Sequence, residues 1–358
     1  MPPRSPLSRR RLLRVALALV LALVVSASAA PPEAEAARRP AVGTQFHCMW
    51  THYTNAKRRA VLTKLARAGI RWVRIDVGWW GAEAQRGRFT RSYLRTLDTC
   101  VRGARRRGMR VLATFWGSPG WANGGHGHFT PPHNPADYAL AAHRMAARYR
   151  GRIAAWEIWN EPDPYMPFFA GSTAHYVALL RAAYPAIKSA SPNAKVVVGG
   201  PSSNDAAWLR QLYLLGAKGS FDVMATHPYQ GVADAPPERR DDGNRWWLSH
   251  TGAVHRVMRQ WGDGHKQIWF TEFGWSTHRD WRGVPNWRRG VTRAQQGRYF
   301  VRAVKYTARR FPYVGVMFWY KERAHPRGTD AHLEGFALMD ARGRPKPALR
   351  AVRAYLRG

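Results

Sequence analysis

The sequence predicts an α/β protein built as a single-domain (β/α)8 TIM barrel. Eight short apolar runs rich in β-branched or aromatic residues alternate along the chain with eight amphipathic stretches rich in Ala, Leu and Arg. Residues 41–358 contain no linker segment, and a barrel of this kind typically takes about 250 residues. An open doubly wound sheet is the rival fold. Neither GxGxxG nor GxxxxGK, the phosphate-binding motifs of such sheets, follows the first strand. Their absence from this position argues against a nucleotide-binding doubly wound fold.

The predicted elements follow one another in strict strand and helix alternation. The predicted strands cover residues 42–47, 71–76, 110–115, 153–159, 194–199, 221–226, 267–272 and 314–320. The predicted helices cover roughly residues 56–69, 91–107, 135–150, 174–190, 205–217, 249–262, 292–310 and 346–357. Several helices carry start signals. At the third helix, Asn134 can cap the first turn and Pro135 suits the first helical position.

The composition excludes a disordered chain. The 358 residues include 17 Trp, 14 Tyr and 13 Phe, and 45% are hydrophobic, which is enough apolar surface for a large core. With only Cys48 and Cys100, the chain has neither a disulfide-stapled scaffold nor a Cys-rich zinc site. Cys48 ends the first predicted strand and Cys100 falls in a predicted outer helix, so this placement argues against a disulfide bond between them without deciding the question.

Residues 1–30 predict a signal peptide for export. The basic stretch SRRRLLR at 8–14 precedes an apolar run at 15–25 and the small residues SASAA, and its paired arginines resemble the twin-arginine type. A membrane anchor is the alternative, but about eleven to sixteen apolar residues are fewer than the roughly twenty that span a bilayer. Residues 31–40, rich in Pro, Ala and Glu, predict a flexible segment. We therefore expect a secreted, extracellular protein without stable membrane insertion, with cell-wall association as an option.

Basic residues dominate the charge of the chain. There are 57 Lys and Arg against 22 Asp and Glu, a formal net charge of +35. The arginines are scattered through helical segments, as at Arg144, Arg148, Arg150 and Arg152, and do not form one tail. A solvated basic surface is the simplest interpretation, and attraction to an acidic polysaccharide, a wall polymer or nucleic acid is the alternative. We expect a monomer with no specific nucleic-acid partner.

Two glutamates stand where the chemistry of a barrel is expected. Glu161 follows the fourth strand in WEIWNEPD and Glu272 ends the seventh in IWFTE, and the carboxyl ends of barrel strands line the substrate site. Such a pair can cleave a glycosidic bond, with a neutral carboxyl as the acid and a carboxylate as the nucleophile. Apolar burial raises a carboxyl pKa and a neighbouring arginine lowers it. Glu161, beside Trp159, is therefore the predicted acid/base. Glu272 is the predicted nucleophile, with Arg74 and Tyr229 as its predicted partners.

The triplet Asn160-Glu161-Pro162 after strand four, with Glu272 at the end of strand seven, resembles clan A of the glycoside hydrolases. The resemblance implies a (β/α)8 enzyme that retains anomeric configuration. It also implies that Glu161 is the acid/base, that Glu272 is the nucleophile and that Asn160 contacts the sugar 2-hydroxyl.

The resemblance extends to further substrate-binding positions. They are Arg74 on strand two, His227 and Tyr229 of ATHPY after strand six, and Trp319 of FWY on strand eight. In the clan, the tryptophan lies beneath the sugar at the cleavage point. Within the clan, the chain is most similar to bacterial family 39 and to cellulase-like family 5. The segments that carry this similarity are GSPGWA at 117–122, RYRGRIAAWEIWNEPD, FDVMATHPY, TEFGWST and PKPA at 345–348.

Other residues allow two interpretations. Glu157 and Asp76 are rival carboxylates, but Glu157 lies inside strand four and is expected to pair with an arginine, because a buried charge needs a partner. About half of the tryptophans in the predicted rim loops are expected to stack on sugar rings and the rest to pack in the core. These tryptophans are Trp79, Trp80, Trp116, Trp121, Trp246, Trp247, Trp281 and Trp287. The spacing of His126, His128 and His133 matches no zinc site, so a polar or sugar-contacting loop is favoured. We expect no metal ion and no cofactor.

Together these observations predict a secreted retaining glycoside hydrolase that cleaves O-glycosyl bonds of a poly- or oligosaccharide by double displacement. An anionic polymer is one option for the substrate. A transglycosylase that uses the same glutamates is the enzymatic alternative. A non-catalytic carbohydrate- or wall-binding protein on a barrel scaffold is the other alternative, and a nucleic-acid binder ranks behind both. The sugar, the linkage and endo or exo action stay open.

Overall fold

Eight parallel strands close into one barrel. The computed structural model describes residues 39–278 and 283–358, so the predicted signal peptide lies outside the described residues. The strands neighbour one another in chain order, and the eighth pairs with the first. They are β1 Ala41–Gln45, β2 Trp72–Gly78, β3 Arg110–Trp116, β4 Ala155–Ile158, β5 Lys195–Val198, β6 Val223–Thr226, β7 Gln267–Phe273 and β8 Val314–Trp319. All eight predicted strands and the (β/α)8 barrel are confirmed.

The eight predicted helices are also present. They are α1 Asn55–Arg67, α3 Arg91–Arg105, α4 Pro135–Arg148, α5 Thr173–Ala190, α6 Ala206–Leu214, α7 Thr251–Gln260, α8 Arg293–Arg310 and α10 Pro347–Arg357. Two short helices that the sequence analysis missed, α2 Trp79–Ala82 and α9 Ala331–Gly335, lie in the loops after β2 and β8. Within the described ranges, no helix has the length and apolar character needed to cross a membrane.

Side-chain caps fix where several helices begin. Asn134 accepts a hydrogen bond from the backbone N–H of Ala136 at the start of α4, and Pro135 occupies the first turn, as predicted. Ser172 and Thr292 form capping boxes at the starts of α5 and α8. These caps end the loops that leave β3, β4 and β7. They therefore fix the lengths of the three loops that surround the mouth of the barrel.

The interior of the barrel changes from apolar to polar along its axis. Near the amino ends of the strands, Trp72 and Trp269 pack edge to face with ring centroids 5.1 Å apart, and Phe318 lies beside both. Inward-facing side chains recur every second residue along a strand. The next inward position on β2 after Trp72 is Arg74, and it contacts Glu157, an inward residue of β4. The polar residues therefore lie above an apolar plug.

Cys48 and Cys100 form a disulfide bond, which corrects the sequence-based expectation. Their Cα atoms lie 6.2 Å apart and both side chains are fully buried, and this separation is within the usual range for a disulfide. The expectation was wrong because Cys100 lies on the buried face of α3, with Leu97, Val101 and Ala104. That face is turned toward the segment that follows β1, so the bond ties this segment to α3.

Removal of this bond is expected to destabilise the protein. The bond closes a loop across 52 residues, which in the chain-entropy account stabilises the folded state by about 4 kcal/mol. The Cys48→Ala, Cys100→Ala double variant should show a correspondingly lower free energy of unfolding in denaturant titration. Reductant should lower the wild-type value and leave that of the double variant unchanged. Two free thiols in wild-type protein denatured without reductant would contradict the bond.

Candidate active site

A buried arginine organises the floor of the barrel mouth. Arg74 is 1% exposed, and it donates from Nε to Glu157 Oε2 and from Nη1 to Glu272 Oε1, both at 2.7 Å. Nη2 donates to Asn160 Oδ1 at 2.7 Å, and Nη1 also donates to Gln45 Oε1 at 2.9 Å. Burial lowers the pKa of Arg74, but Glu157 and Glu272 outweigh that effect and raise it. The guanidinium therefore stays charged.

Glu157 is the structural ion-pair partner of Arg74, as predicted. Its carboxylate is fully buried and accepts hydrogen bonds from Thr114 Oγ1 at 2.6 Å and from Gly200 N at 3.3 Å. Burial raises the pKa of Glu157, but the charge of Arg74 and the hydrogen bonds from Arg74 and Thr114 hold it below its ordinary value. Glu157 is therefore ionised at neutral pH, and its charge is matched by the arginine rather than by water.

Glu272 lies at the mouth with each oxygen held by a different donor. Oε1 accepts from Arg74, and Oε2 accepts from the Tyr229 hydroxyl at 2.9 Å. Burial, followed by the charge of Glu272, raises the pKa of Tyr229 well above its ordinary value, so the hydroxyl remains a donor. Both contacts are the ones that the sequence analysis expected. Together they fix the orientation of the carboxyl group of Glu272.

Glu161 is held by an uncharged histidine. His227 Nδ1 lies 2.8 Å from Glu161 Oε1, and His227 Nε2 lies 3.0 Å from Thr271 Oγ1. Burial lowers the pKa of His227, so its ring is neutral near pH 7. Burial, with repulsion from Asp163 and Glu157, raises the pKa of Glu161 to about 8. Glu161 is therefore protonated over most of the neutral range.

A strained turn and a close backbone approach place Glu161. Trp159 and Glu161 have φ angles of 71° and 42°, in the left-handed region that few residues other than glycine adopt. Glu161 N donates to Gly200 O at 3.1 Å. A Cβ atom at Gly200 would lie 2.6 Å from both His227 Nε2 and Thr271 Oγ1. Glycine is thus required here for the histidine to reach Glu161.

The two predicted catalytic carboxyl groups meet across the mouth. One oxygen of Glu161, one of Glu272 and one ring nitrogen of His227 all lie within 4.8 Å of one another. Three such groups could ligate a metal ion, but the Arg74 cation at 2.7 Å from Glu272 opposes a second cation there. Each of the three already has a hydrogen-bond partner in the protein. The arrangement therefore suits proton transfer better than metal binding.

A cavity of about 730 Å³ opens above these carboxyl groups, a volume typical of small-ligand sites. Of the residues predicted to bind substrate, Asn160 and Tyr229 line it, whereas Arg74 and His227 are buried outside its lining. The sequence analysis missed Gln45 and His47 as lining residues and weighed Asp76 only as a rival carboxylate. Their position was the available signal, because Gln45 ends β1, His47 follows it and Asp76 lies two residues before the carboxyl end of β2.

Trp319 lies outside the cavity, which corrects the expectation drawn from the resemblance. Its side chain is fully buried and stacks on Phe300 of α8 with ring centroids 4.3 Å apart. Its Nε1 donates to the backbone carbonyl of Phe336 at 2.8 Å. The next residue of the FWY run, Tyr320, lines the cavity instead. The expectation was wrong by one residue of register, because successive side chains point to opposite faces of a strand.

The rim tryptophans divide between the cavity and other surroundings. Those that line the cavity are Trp116, Trp246 and Trp287. Those that do not are Trp79, Trp80, Trp121 and Trp247, and the first and last of these are buried. Trp281 lies outside the described residues. His128 stacks on Trp80 with ring centroids 4.5 Å apart, and neither it nor His126 or His133 lines the cavity, so the polar-loop interpretation is the better one.

Comparison with known proteins agrees with this geometry. The family model described as Cellulase (glycosyl hydrolase family 5) matches residues 35–320. A beta-xylosidase of Caldicellulosiruptor saccharolyticus is 30% identical over 112 residues, which cover 29% of this chain and 22% of the xylosidase. A probable glucan 1,3-beta-glucosidase of Arthroderma benhamiae is 26% identical over 190 residues, which cover 50% of this chain and 44% of that relative. The chain thus spans less than half the length of these curated relatives.

Solved structures share the fold. A family 39 glycoside hydrolase from Bacteroides cellulosilyticus WH2 matches with a TM-score of 0.70 and 19% identity, over 89% of this chain and 64% of that protein. A GH5_18 protein from Streptomyces cattleya, solved in complex with Manβ1-4GlcNAc, matches with a TM-score of 0.67 and 20% identity, over 89% of this chain and 80% of that protein. At these identities the likeness establishes the barrel alone.

Replacement of Glu161 by Gln should change how stability depends on pH. The folded-state pKa of about 8 lies above the ordinary 4.5, so the folded protein holds this proton more tightly than the unfolded chain does. This stabilisation is complete below the ordinary value and is lost as the pH rises through about 8, by up to about 1.4 kcal/mol per pH unit. Relative to wild type, Glu161→Gln should therefore gain thermal stability between about pH 5 and about pH 8.

The matched control for that measurement is Glu238→Gln. Glu238 is a partly exposed carboxylate that pairs with Arg302, so its variant should follow the wild-type pH dependence. If the difference in unfolding temperature between wild type and Glu161→Gln is the same at both ends of the pH range, Glu161 does not have the raised pKa.

Proposed function

Because the chain belongs to glycosyl hydrolase family 5, we propose that it hydrolyses β-O-glycosidic bonds between uncharged sugars of an oligo- or polysaccharide, with retention of anomeric configuration. One observation carries the proposal, namely that an oxygen of Glu161 and an oxygen of Glu272 lie within 4.8 Å of each other. Carboxyl groups about 5 Å apart suit double displacement, whereas inverting enzymes need a wider gap for a water molecule. The names of the xylosidase and glucosidase relatives support the β linkage.

In the first step, Glu272 attacks the anomeric carbon while Glu161 gives its proton to the departing oxygen. The glycosidic bond breaks, the glycosyl ester with Glu272 forms, and the leaving group departs as an alcohol. Glu161 holds the required proton below about pH 8 because of its raised pKa. His227 keeps the carboxyl group oriented through the 2.8 Å contact.

In the second step, Glu161 is a carboxylate and takes a proton from a water molecule. The water oxygen attacks the anomeric carbon, the ester bond breaks and Glu272 is regenerated. Two inversions at one carbon give net retention. Asn160 Oδ1 accepts a hydrogen bond from Arg74. The amide nitrogen of Asn160 is therefore the atom that donates to a sugar hydroxyl at the cavity wall.

The charge of the cavity supports an uncharged sugar at the cleavage point. Among the described residues that line it, none is Lys or Arg, although the chain contains 57 of them. The lining instead carries the carboxyl groups of Asp76, Glu161 and Glu272. A uronate or a sulfated sugar would meet the carboxyl groups of Asp76 and Glu272 there, with no Lys or Arg on the described lining to pair with its own charge.

We also propose that the protein is exported, with residues 1–30 as its signal peptide. The support is the sequence pattern of paired arginines, a short apolar run and small residues. Mass spectrometry of the chain recovered from the culture medium of its own cells tests this. Recovery of the full-length chain from the cytosol alone would contradict it.

Replacement of the nucleophile should abolish turnover and the covalent intermediate together. For Glu272→Gln, we expect kcat on aryl β-glycosides to fall by about 10⁴-fold or more. Wild-type protein treated with a 2-deoxy-2-fluoro aryl β-glycoside should gain the mass of one fluoroglycosyl group, and Glu272→Gln should gain none. Glu238→Gln, outside the cavity, serves as the control and should behave as wild type. Full activity of Glu272→Gln on every substrate cleaved by wild type would refute the mechanism.

Substrate charge should affect turnover in a predictable direction. The aryl β-glycoside that is cleaved best should have a kcat/KM at least about tenfold above that of its 6-carboxylate analogue, because repulsion from the cavity carboxyl groups, with no Lys or Arg on the described lining to offset it, costs more than about 1.4 kcal/mol. Asp76→Asn removes one carboxyl group from the cavity wall, so it should lower the ratio of kcat/KM for the neutral glycoside to kcat/KM for the carboxylate analogue. Equal or faster cleavage of the carboxylate analogue would contradict the assignment of an uncharged sugar.

A further inference from the structure

Positive charge that acidic residues do not balance is concentrated at the end of the barrel opposite the catalytic cavity. In a (β/α)8 barrel, the helix carboxyl ends and the strand amino ends share that face. Seven segments run from the end of a helix to the first residue of the next strand, β2 to β8, and they contain nine Lys or Arg against two acidic residues. The nine are Arg71, Arg106, Arg107, Arg110, Arg150, Arg152, Lys195, Lys218 and Lys266. We call this end of the barrel the basic face.

The last turns of the helices add to the basic face. Ten further Lys or Arg lie in these turns, namely Lys64, Arg67, Arg102, Arg105, Arg148, Lys188, Arg259, Arg309, Arg310 and Arg357. Cations there stabilise the helix dipoles, which accounts for part of this pattern. The dipole effect falls off beyond the last turn, so it does not explain the cations in the loops.

The acidic residues that the structure describes do not neutralise the basic face. Its two acidic residues already have partners, since Asp222 pairs with Lys188 at 3.1 Å and Asp263 pairs with Lys266 at 3.0 Å. By contrast, four exposed cations in successive connections around the barrel have no acidic partner within 4.0 Å among the described residues. They are Arg71, Arg106, Arg150 and Lys195. Such a run of unmatched positive charge attracts polyanions.

We infer that the basic face binds an anionic glycan, that is, a polysaccharide with carboxylate, sulfate or phosphate groups. This glycan is a different molecule or segment from the uncharged substrate that is cleaved in the cavity. The choice of a glycan rests on the proposed function. Arginine, the main cation of this face, pairs with such oxyanions through two parallel hydrogen bonds. The cavity at the other end lacks Lys and Arg among its described lining. Binding to an acidic matrix and hydrolysis of uncharged sugars are thus assigned to opposite ends of one molecule.

Two observations favour a glycan over nucleic acid. The exposed large apolar residues near this face are Leu214 and Leu215, and the exposed aromatic residues of the described chain, Trp80, Tyr165 and Trp287, lie in loops at the other end. On the described part of this face, unpaired bases would therefore find no exposed ring to stack on. Its described residues form helix ends and short loops, and none of these helices lies along the face to enter a major groove.

The test measures binding of the purified protein to immobilised heparin, a sulfated glycan, and to polygalacturonate, a carboxylated one. The basic-face variant is R71E/R106E/R150E/K195E. The matched control reverses four exposed arginines at the catalytic end, R88E/R91E/R240E/R327E, of which three lie in loops and one begins α3, and so has the same net charge change. We expect the basic-face variant to bind both polymers about 100-fold more weakly, or worse, at low salt. The control should lose less than about tenfold, and wild-type binding should weaken steeply with salt.

The remaining measurements separate the possible outcomes. The basic-face variant should keep the wild-type kcat/KM on aryl β-glycosides and a cooperative thermal transition. If it unfolds early, the corresponding Gln series provides the same comparison. Equal losses in the two variants would show that total charge alone drives binding and would overturn the proposal. Tighter binding of random duplex DNA than of either glycan, through the same four residues, would overturn the choice of a glycan. Binding is measured without turnover, so an inactive wild type would refute only the proposed function.

Discussion

The catalytic centre depends on the buried positive charge of Arg74. A guanidinium that is 1% exposed is tolerated only when protein groups replace its lost hydration. Glu157 supplies the matching charge from beneath, and Glu272 supplies a second from the cavity side. The same cation holds Asn160. Residues from β2, β4 and β7 therefore meet at one point only if the barrel is closed in the observed strand order.

Two carboxyl groups of the same residue type acquire different properties from their neighbours. Glu161 faces a neutral His227 in a buried setting with other acids nearby, and its pKa is raised to about 8. Glu272 instead receives hydrogen bonds from a charged arginine and a tyrosine hydroxyl. In the proposed mechanism, a proton donor and an oriented nucleophile thus face each other, and no step uses a cofactor. The left-handed backbone at Glu161 is strain that the surrounding packing sustains at a functional position.

The charge of the molecule is divided along the barrel axis. Helix carboxyl ends and the connections to the next strand carry nineteen Lys or Arg at one end, while the described lining of the catalytic cavity has none. This separation follows from topology, because every helix in the barrel points its carboxyl end away from the mouth. A net charge of +35 therefore says little about the charge that a bound sugar meets.

The sequence by itself determined the barrel, the strand that carries each glutamate and the pairing of Glu157 with an arginine, because alternating apolar periods and burial of charge are properties of the local chain. Only the tertiary structure decided which side chains from different elements are neighbours. It placed Cys100 against Cys48, turned Trp319 outward and Tyr320 inward, and brought Gln45 and His47 to the cavity wall. These outcomes depend on which face of a helix or strand meets its neighbour. In a strand, a shift of one residue turns each side chain to the opposite face, and the hydrophobic periodicity of the sequence does not define the strand to within one residue.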